Sequence, residues 1–427
     1  MNVLYCIPRY DSAAMGNRIH TEVIAEWQRH GIETEVLSLD ARLTRRVTSI
    51  EEGVTVHRLP VSAGVPLKLA NRAVAAVLPY PYLAGAAWHY RRLIRERRYT
   101  LAHIETAFPL GLIAALAPRR LSPPLAITLP GADIMAEPEY DYGYGRFPAV
   151  RAVLPWIFRR AAVLRADSPQ IRELAIRLGA HPRKVVAIPY NITTDSFPPP
   201  GDLAAFRWRS RLAVAERHLL DPSRPIVVSL NRLHPFKGIA YLLDALPYLR
   251  RRGIAPQVLI VGPNRSTPRF GNYGAFLQAR AEALGAAADV HFTGGIAHTE
   301  AITYLAAADV AVVPSVAESF SRVVVEAAAA GTPAVVTRTT GVSDYVAAHG
   351  AGRVVDPRSG ASIAEALEEL LTDHEAWAAC SRCAAAMAPA FSSARIAVDL
   401  LRLYRPFLGP HFAPQPYRPE TLTTVEN

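Results

Sequence analysis

Two carboxylates, Glu318 and Glu326, stand eight residues apart in the stretch PSVAESFSRVVVEAAAAGTP, residues 314–333. Glu318 falls in a short loop after the strand-like run DVAVV (309–313). Glu326 follows about one turn into an Ala-rich segment of strong helix propensity that stops at Gly331-Thr332-Pro333. A helix starting between the two leaves N–H groups in the run Ser319, Phe320, Ser321, Arg322 and Val323 without intrahelical acceptors. The positive end of the helix dipole favours an anion at that spot. Carboxylates flanking it could accept hydrogen bonds from hydroxyls, so the stretch is a candidate cradle for an anion joined to hydroxyl-rich groups. The same spacing would also arise from a capped helix with a solvated face.

A second group precedes it. After the apolar run IVVSL comes NRLHPFKG, residues 231–238, which places Arg232 and Lys237 where a strand hands over to a helix. Two cations there would neutralise a diphosphate. The two patterns, R-x(4)-K-G followed by E-x-F-x(5)-E-A-x-A-x-G-x-P, resemble the donor-site signature of retaining glycosyltransferase family 4. The resemblance implies an α/β protein of GT-B fold: two Rossmann-like doubly wound domains facing across a cleft, with a C-terminal helix crossing back to the first. It also implies roles. Arg232 and Lys237, with the amides of Ser319 to Val323, would hold the phosphates of a nucleotide-diphosphate sugar. Glu326 would accept from the ribose hydroxyls and Glu318 from the sugar.

The resemblance extends over most of the chain, with departures. IPYNITTDSF (188–197) is similar to the segment that closes the family's first domain, with Tyr190 and Asn191 in place of Asn and Gly. TTGVSDYV (339–346) resembles its G-G-x-x-E-x-V loop, with Thr340 for a glycine and Asp344 for the glutamate; Asp344 is expected to be structural. Met15-Gly16-Asn17-Arg18 keeps one glycine of a pair, and Gly16 is expected at the donor. TLPGADI (128–134) is similar to the family's T-x-H-G-x-D segment, with Pro130 at the histidine position and Asp133 retained. Asp133 is a candidate catalytic residue with Arg232, Lys237 and Glu318. Its other reading is a cap on the next segment of a proline-bent loop.

The elements that must position these residues are legible as alternation. Runs at 3–7, 34–39, 101–105, 125–129, 162–167 and 185–189, with helical segments between them, predict a parallel sheet covered on both faces. The rhythm restarts with runs at 226–230, 257–262, 290–294, 310–314 and 333–337. The expected organisation is an acceptor-side domain over 1–200, a linker over 201–224 and a donor domain over 225–390. A crossover helix over 391–408, stopped by Pro406, and a disordered Pro-rich tail over 409–427 complete it.

At 427 residues the chain can build two full cores. Its three cysteines, Cys6, Cys380 and Cys383, are too few for a disulfide framework and point to a reducing compartment. No signal peptide or membrane span is expected, so the localisation expected is cytoplasmic, with peripheral attachment to the inner membrane face as a candidate. Residues 1–200 carry 25 Lys and Arg against 17 Asp and Glu, so most of the net charge of +10 lies there. Arg91, Arg92, Arg95, Arg97 and Arg98 follow Tyr80, Tyr82, Trp88 and Tyr90, which could seat a helix on an anionic membrane surface or simply be a solvated face. No motif supports nucleic acid as a partner.

No Asp-x-Asp pair occurs, so the diphosphate is expected to be held without a metal and no cofactor is expected beyond the donor substrate. The resulting expectation is a retaining, metal-independent hexosyltransferase acting on a hydroxyl acceptor: a sugar, a lipid-linked sugar or a small molecule. Two alternatives stand beside it. One is a sugar-nucleotide epimerase or disaccharide phosphorylase on the same fold; the other is a non-catalytic partner in glycan assembly, motivated by Pro130.

Overall fold

The computed structural model describes residues 1–414 apart from 13, 62, 63, 200, 265, 410, 411 and 413. It forms two compact units, one of residues 1–190 with the C-terminal segment from Ser393, the other of residues 191–392.

The first unit is built on eight strands: β1 (Asn2–Cys6), β2 (Glu33–Asp40), β3 (Val47–Glu51), β4 (Val54–Pro60), β5 (Leu101–Glu105), β6 (Leu125–Leu129), β7 (Val163–Ala166) and β8 (Val185–Ala187). They lie in the order β3-β4-β2-β1-β5-β6-β7-β8, and only the β3–β4 pair is antiparallel. Every residue of β5, β6 and β7 is buried, as apolar parallel strands covered on both faces require. The β3–β4 hairpin is absent from the sequence expectation. Its signal is the alternation VTSIEEGVTV, turned by Glu52 (φ 48°) and Gly53 (φ 77°), the paired left-handed conformations of a tight hairpin turn.

The helix Ser393–Leu408 belongs to this unit. It packs on the helix Arg18–Arg29, and the Trp27 indole N–H donates to the Ala397 carbonyl at 3.2 Å. Pro406 lies inside this helix and does not stop it, because Tyr404 and Leu408 on either side are buried in the core and hold the last turn. The tail expected over 409–427 lies outside the described residues, apart from 409, 412 and 414.

The second unit carries β9 (Ile226–Leu230), β10 (Gln257–Val261), β11 (Val290–Gly294), β12 (Val310–Val313), β13 (Ala334–Thr337) and β14 (Gly352–Val355). All are parallel, in the order β11-β10-β9-β12-β13-β14. The order reverses between β9 and β12, the place where doubly wound sheets open a crevice beyond their carboxyl ends. The short run GRVV of β14 was not anticipated. The segment expected as a linker, 201–224, is largely the helix Leu203–His218 of this unit. Asp202 caps it by accepting the Ala204 N–H at 2.8 Å, and Arg207 fastens it to the Ala308 and Ala330 carbonyls, each at 2.8 Å.

The basic and aromatic run of residues 80–98 divides between inside and outside. Tyr90 is buried in the helix Leu83–Glu96, Tyr80 packs edge-on against Phe108, and Arg91 donates to the Leu116 carbonyl at 2.5 Å. Only Trp88 of its aromatics is exposed. Among the described residues no helix is long and apolar enough to cross a membrane.

Candidate functional site

Arg232 and Lys237 follow β9, and Glu318 follows β12, so neighbouring strands at the switch point deliver all three. After β9 a 3-10 turn, Pro235–Lys237, ends at Gly238 (φ 68°). A Cβ on Gly238 would lie 1.9 Å from the Pro314 carbonyl oxygen, so only glycine lets this turn dock on the end of β12. The Val316 N–H donates to the Phe236 carbonyl at 2.8 Å and ties the two loops.

Lys237 is thereby held almost buried, with Nζ in an ion pair with Glu318 and 4.8 Å from the Phe236 ring centroid. Glu318 is fixed from behind. Its N–H donates to the Thr339 carbonyl at 3.1 Å and its own carbonyl accepts from Gly341 at 2.9 Å. Ser315 Oγ lies 3.5 Å from its carboxylate. Thr340 is fully buried and Asp344 is exposed on the first turn of the next helix, which leaves Asp344 outside this cluster. The cation expected at the phosphates and the carboxylate expected at the sugar are thus direct neighbours. Arg232 is exposed and makes no ion pair with any described residue.

The helix begins at Arg322, about one turn ahead of Glu326. Ser321 precedes it with φ 80°, a left-handed conformation uncommon for a non-glycine residue, and no side chain caps the helix. The first-turn N–H groups of Arg322, Val323 and Val324 therefore lead out of the helix, with Ser321 as N-cap. Ser319 lies in the loop ahead of it. Phe320 has a structural side chain, buried and packed at 5.9 Å between centroids on Phe391, so its donor contact can only be through the backbone. Val323 likewise packs its side chain on the core.

Glu326 is 5 % exposed on the same helix. One carboxylate oxygen lies 3.5 Å from Ser196 Oγ and 3.9 Å from His298 Nε2, and the other receives no hydrogen bond from a described residue. Ser196 and His298 are site neighbours that sequence reasoning missed. The available signals were the TDSF end of the 188–197 motif and the position of His298 just beyond β11.

In the first unit, Gly16 sits in the 3-10 turn Met15–Asn17 after β1, where an added Cβ would meet nothing within 4 Å. Asp133, expected as a catalytic residue, is buried in the loop after β6. Its side chain is 1 % exposed and Oδ2 accepts the Ala107 N–H at 2.6 Å, which fastens the loop after β6 to the turn after β5. Burial pushes its pKa up to about 7 against the pull of backbone hydrogen bonds.

Tyr190, a departure from the family pattern, donates to Glu105 Oε2 at 2.7 Å beneath the Arg165 guanidinium. Burial opposes ionisation of Glu105, but hydrogen bonding and charge from His103, with His20 and Arg165 nearby, hold it below the usual carboxylate range. Burial lowers the His103 pKa against the pull of Glu105, and its ring bridges two partners, with Nε2 2.7 Å from Glu105 Oε1 and Nδ1 2.7 Å from the Tyr404 hydroxyl.

Comparison with known proteins agrees with this geometry. Residues 211–387 match the family model described as glycosyl transferases group 1, and residues 15–191 match a glycosyl transferase 4-like domain. The chain is 32 % identical over 292 residues to a GDP-mannose-dependent alpha-(1-6)-phosphatidylinositol monomannoside mannosyltransferase of Mycobacterium tuberculosis, covering 66 % of this chain and 71 % of that one. It is 35 % identical over 212 residues to a D-inositol 3-phosphate glycosyltransferase of Nocardia farcinica, covering 49 % and 47 % of the two. Among solved structures, sucrose-phosphate synthase from Thermosynechococcus elongatus superposes with a TM-score of 0.74 at 20 % identity, over 95 % of this chain and 99 % of that one. Anabaena HepE, solved with UDP and glucose, gives 0.69 at 19 % identity, over 95 % and 100 %. The molecule is a GT-B glycosyltransferase, moving a hexose from a nucleotide-diphosphate sugar to a hydroxyl acceptor. It belongs to the glycosyl transferases group 1 family.

Proposed function

We propose that the chain is a retaining, metal-independent mannosyltransferase that takes its sugar from GDP-mannose and places it on a glycolipid head group at the inner membrane face. The donor and acceptor classes follow the mycobacterial relatives, which are named for GDP-mannose and phosphatidylinositol mannosides. The observation that carries the donor site is the Lys237–Glu318 pair beside an uncapped helix start, with Glu326 behind it.

Lys237 is a point charge with three donors, so it can keep Glu318 and still reach a phosphate oxygen. Arg232, free in solvent, supplies the second cation and the first-turn amides of the helix the remaining donors. Together they stabilise the charge that grows on the leaving diphosphate. The bond from the anomeric carbon to the phosphate oxygen breaks, and the acceptor oxygen bonds to that carbon on the same face. The acceptor proton passes to the departing phosphate, and GDP leaves. Glu318 orients the sugar and Glu326 takes the ribose hydroxyls. Gly16 lets a ligand approach bare backbone, and Asp133 holds the turn after β5 in place.

A thermal-shift panel of nucleoside diphosphates and their sugars tests the assignment. Saturation at 100 times the dissociation constant stabilises by about 2.7 kcal/mol. For units of this size that raises the melting temperature by about 5–10 °C. GDP and GDP-mannose are expected to give this shift, with uridine and adenosine counterparts giving little. A shift with UDP in place of GDP would remove the guanine assignment, and no shift with any nucleotide would remove the donor site.

A further inference from the structure

The helix Val65–Ala75 buries a single residue, Asn71. Asn71 donates to the Val61 carbonyl at 2.8 Å and accepts the Gly85 N–H at 3.0 Å, which pins this helix to the neighbouring one. Residues three and four apart share a helix face, so the side opposite Asn71 is set by sequence. It carries Val65 and Leu69, at 69 % and 60 % exposure, with Val77 just beyond the helix at 69 %. Lys68 and Arg72 flank this apolar stripe, exposed and without an ion pair to any described residue. An outward aliphatic face edged with cations inverts the usual surface helix, which turns its apolar residues inward.

A cavity of about 560 Å³ opens beside it, lined by Arg45, Arg46, Arg92, His89, Trp88 and Leu67 among others. Beside it Glu96 pairs with Arg46 at 2.5 Å and Arg92 at 2.9 Å. Arg45 makes no ion pair with a described residue, so three guanidinium groups face one paired carboxylate there. His89 Nε2 is shielded from water and unpaired. Phosphate matches the guanidinium forks. Nucleic acid would match the charge but leave the aliphatic stripe in water, whereas an anionic bilayer satisfies both.

We propose that the helix Val65–Ala75 lies on an anionic bilayer with Val65, Leu69, Val77 and Trp88 in the head-group boundary, and that Arg45, Arg46 and Arg92 seat a lipid phosphate. The inference rests on the glycolipid acceptor proposed above, and places its membrane contact on the first unit.

The test is co-sedimentation of the full chain with vesicles of phosphatidylcholine alone or with one third phosphatidylglycerol, at low and high salt. GDP binding is measured on every variant, and glycerol phosphate is added as a soluble competitor. Binding is expected only to the anionic vesicles, weakened by salt, and at least about tenfold weaker for Leu69→Asp and for the pair Lys68→Glu and Arg72→Glu. Arg45→Glu should weaken it too, with GDP affinity unchanged throughout. Wild-type vesicle binding that is absent at low salt, or unaffected by these substitutions, overturns the proposal. So does tight binding of glycerol phosphate without vesicles, which would make the cavity a seat for a soluble phosphate. Loss of GDP binding in the unaltered chain would instead sink the donor assignment and leave the vesicle result standing.

Discussion

Arg232→Ala and Lys237→Ala each lower turnover by about 10²–10³, the scale on which a preorganised donor to a developing anion acts. The two substitutions differ in side effects, and that difference separates catalysis from stability. Arg232 is exposed and makes no ion pair with a described residue, so its removal should leave the melting temperature unchanged while turnover collapses. Lys237 is the partner of Glu318, and both side chains are nearly buried, at 11 % and 13 % exposure. Removing the lysine alone strands a carboxylate, which costs stability as well as rate. The double variant Lys237→Ala with Glu318→Gln removes the stranded charge. It should recover the melting temperature and stay inactive. Turnover is read as GDP release dependent on acceptor. Near-normal turnover in Arg232→Ala or in the double variant would remove these cations from the mechanism.

Glu326→Ala is the second large effect, and it falls on binding. A hydrogen bond to a charged acceptor contributes about 1.5–3 kcal/mol, and each 1.4 kcal/mol is about tenfold in affinity. Loss of the ribose contact should therefore weaken GDP binding by roughly 10- to 100-fold by titration calorimetry. Turnover at saturating donor should change much less, because the contact is made equally in ground and transition states. The side chain is buried beside Ser196 and His298, so Glu326→Gln, which keeps shape and acceptor, should lose less than Glu326→Ala. Unchanged GDP affinity in Glu326→Ala would refute the ribose role.

Several of the strands that the sequence announces are fully buried. β6, β10 and β12 are mainly apolar runs because both faces are covered, and such runs need no partner to be recognised. The elements missed were those whose signal depends on a neighbour. The β3–β4 hairpin alternates polar and apolar residues, and β14 is a four-residue edge strand containing Arg353. The helix Leu203–His218 looked like a linker because its arginines suggest solvent. Arg207 and Arg211 instead reach carbonyls that no local pattern reveals.

Within the site, Lys237 and Glu318 were legible as motif members, but their direct pairing comes from Gly238 docking on Pro314. Ser196 meets Glu326 across 130 residues of chain, a separation no local pattern bridges. Asp133, a retained motif residue, likewise accepts the Ala107 N–H, a contact no local pattern reveals. The arginine cluster at 91–98 divides: Arg91 turns inward, whereas Arg92 lines the cavity beside the preceding helix, whose outward face is apolar.

The most direct measurement is steady-state transfer by the unaltered chain after exhaustive treatment with a metal chelator. If cations and main-chain amides hold the leaving diphosphate, turnover is unchanged and added magnesium or manganese does not raise it. Turnover that vanishes with the chelator and returns with a divalent cation would contradict that grip.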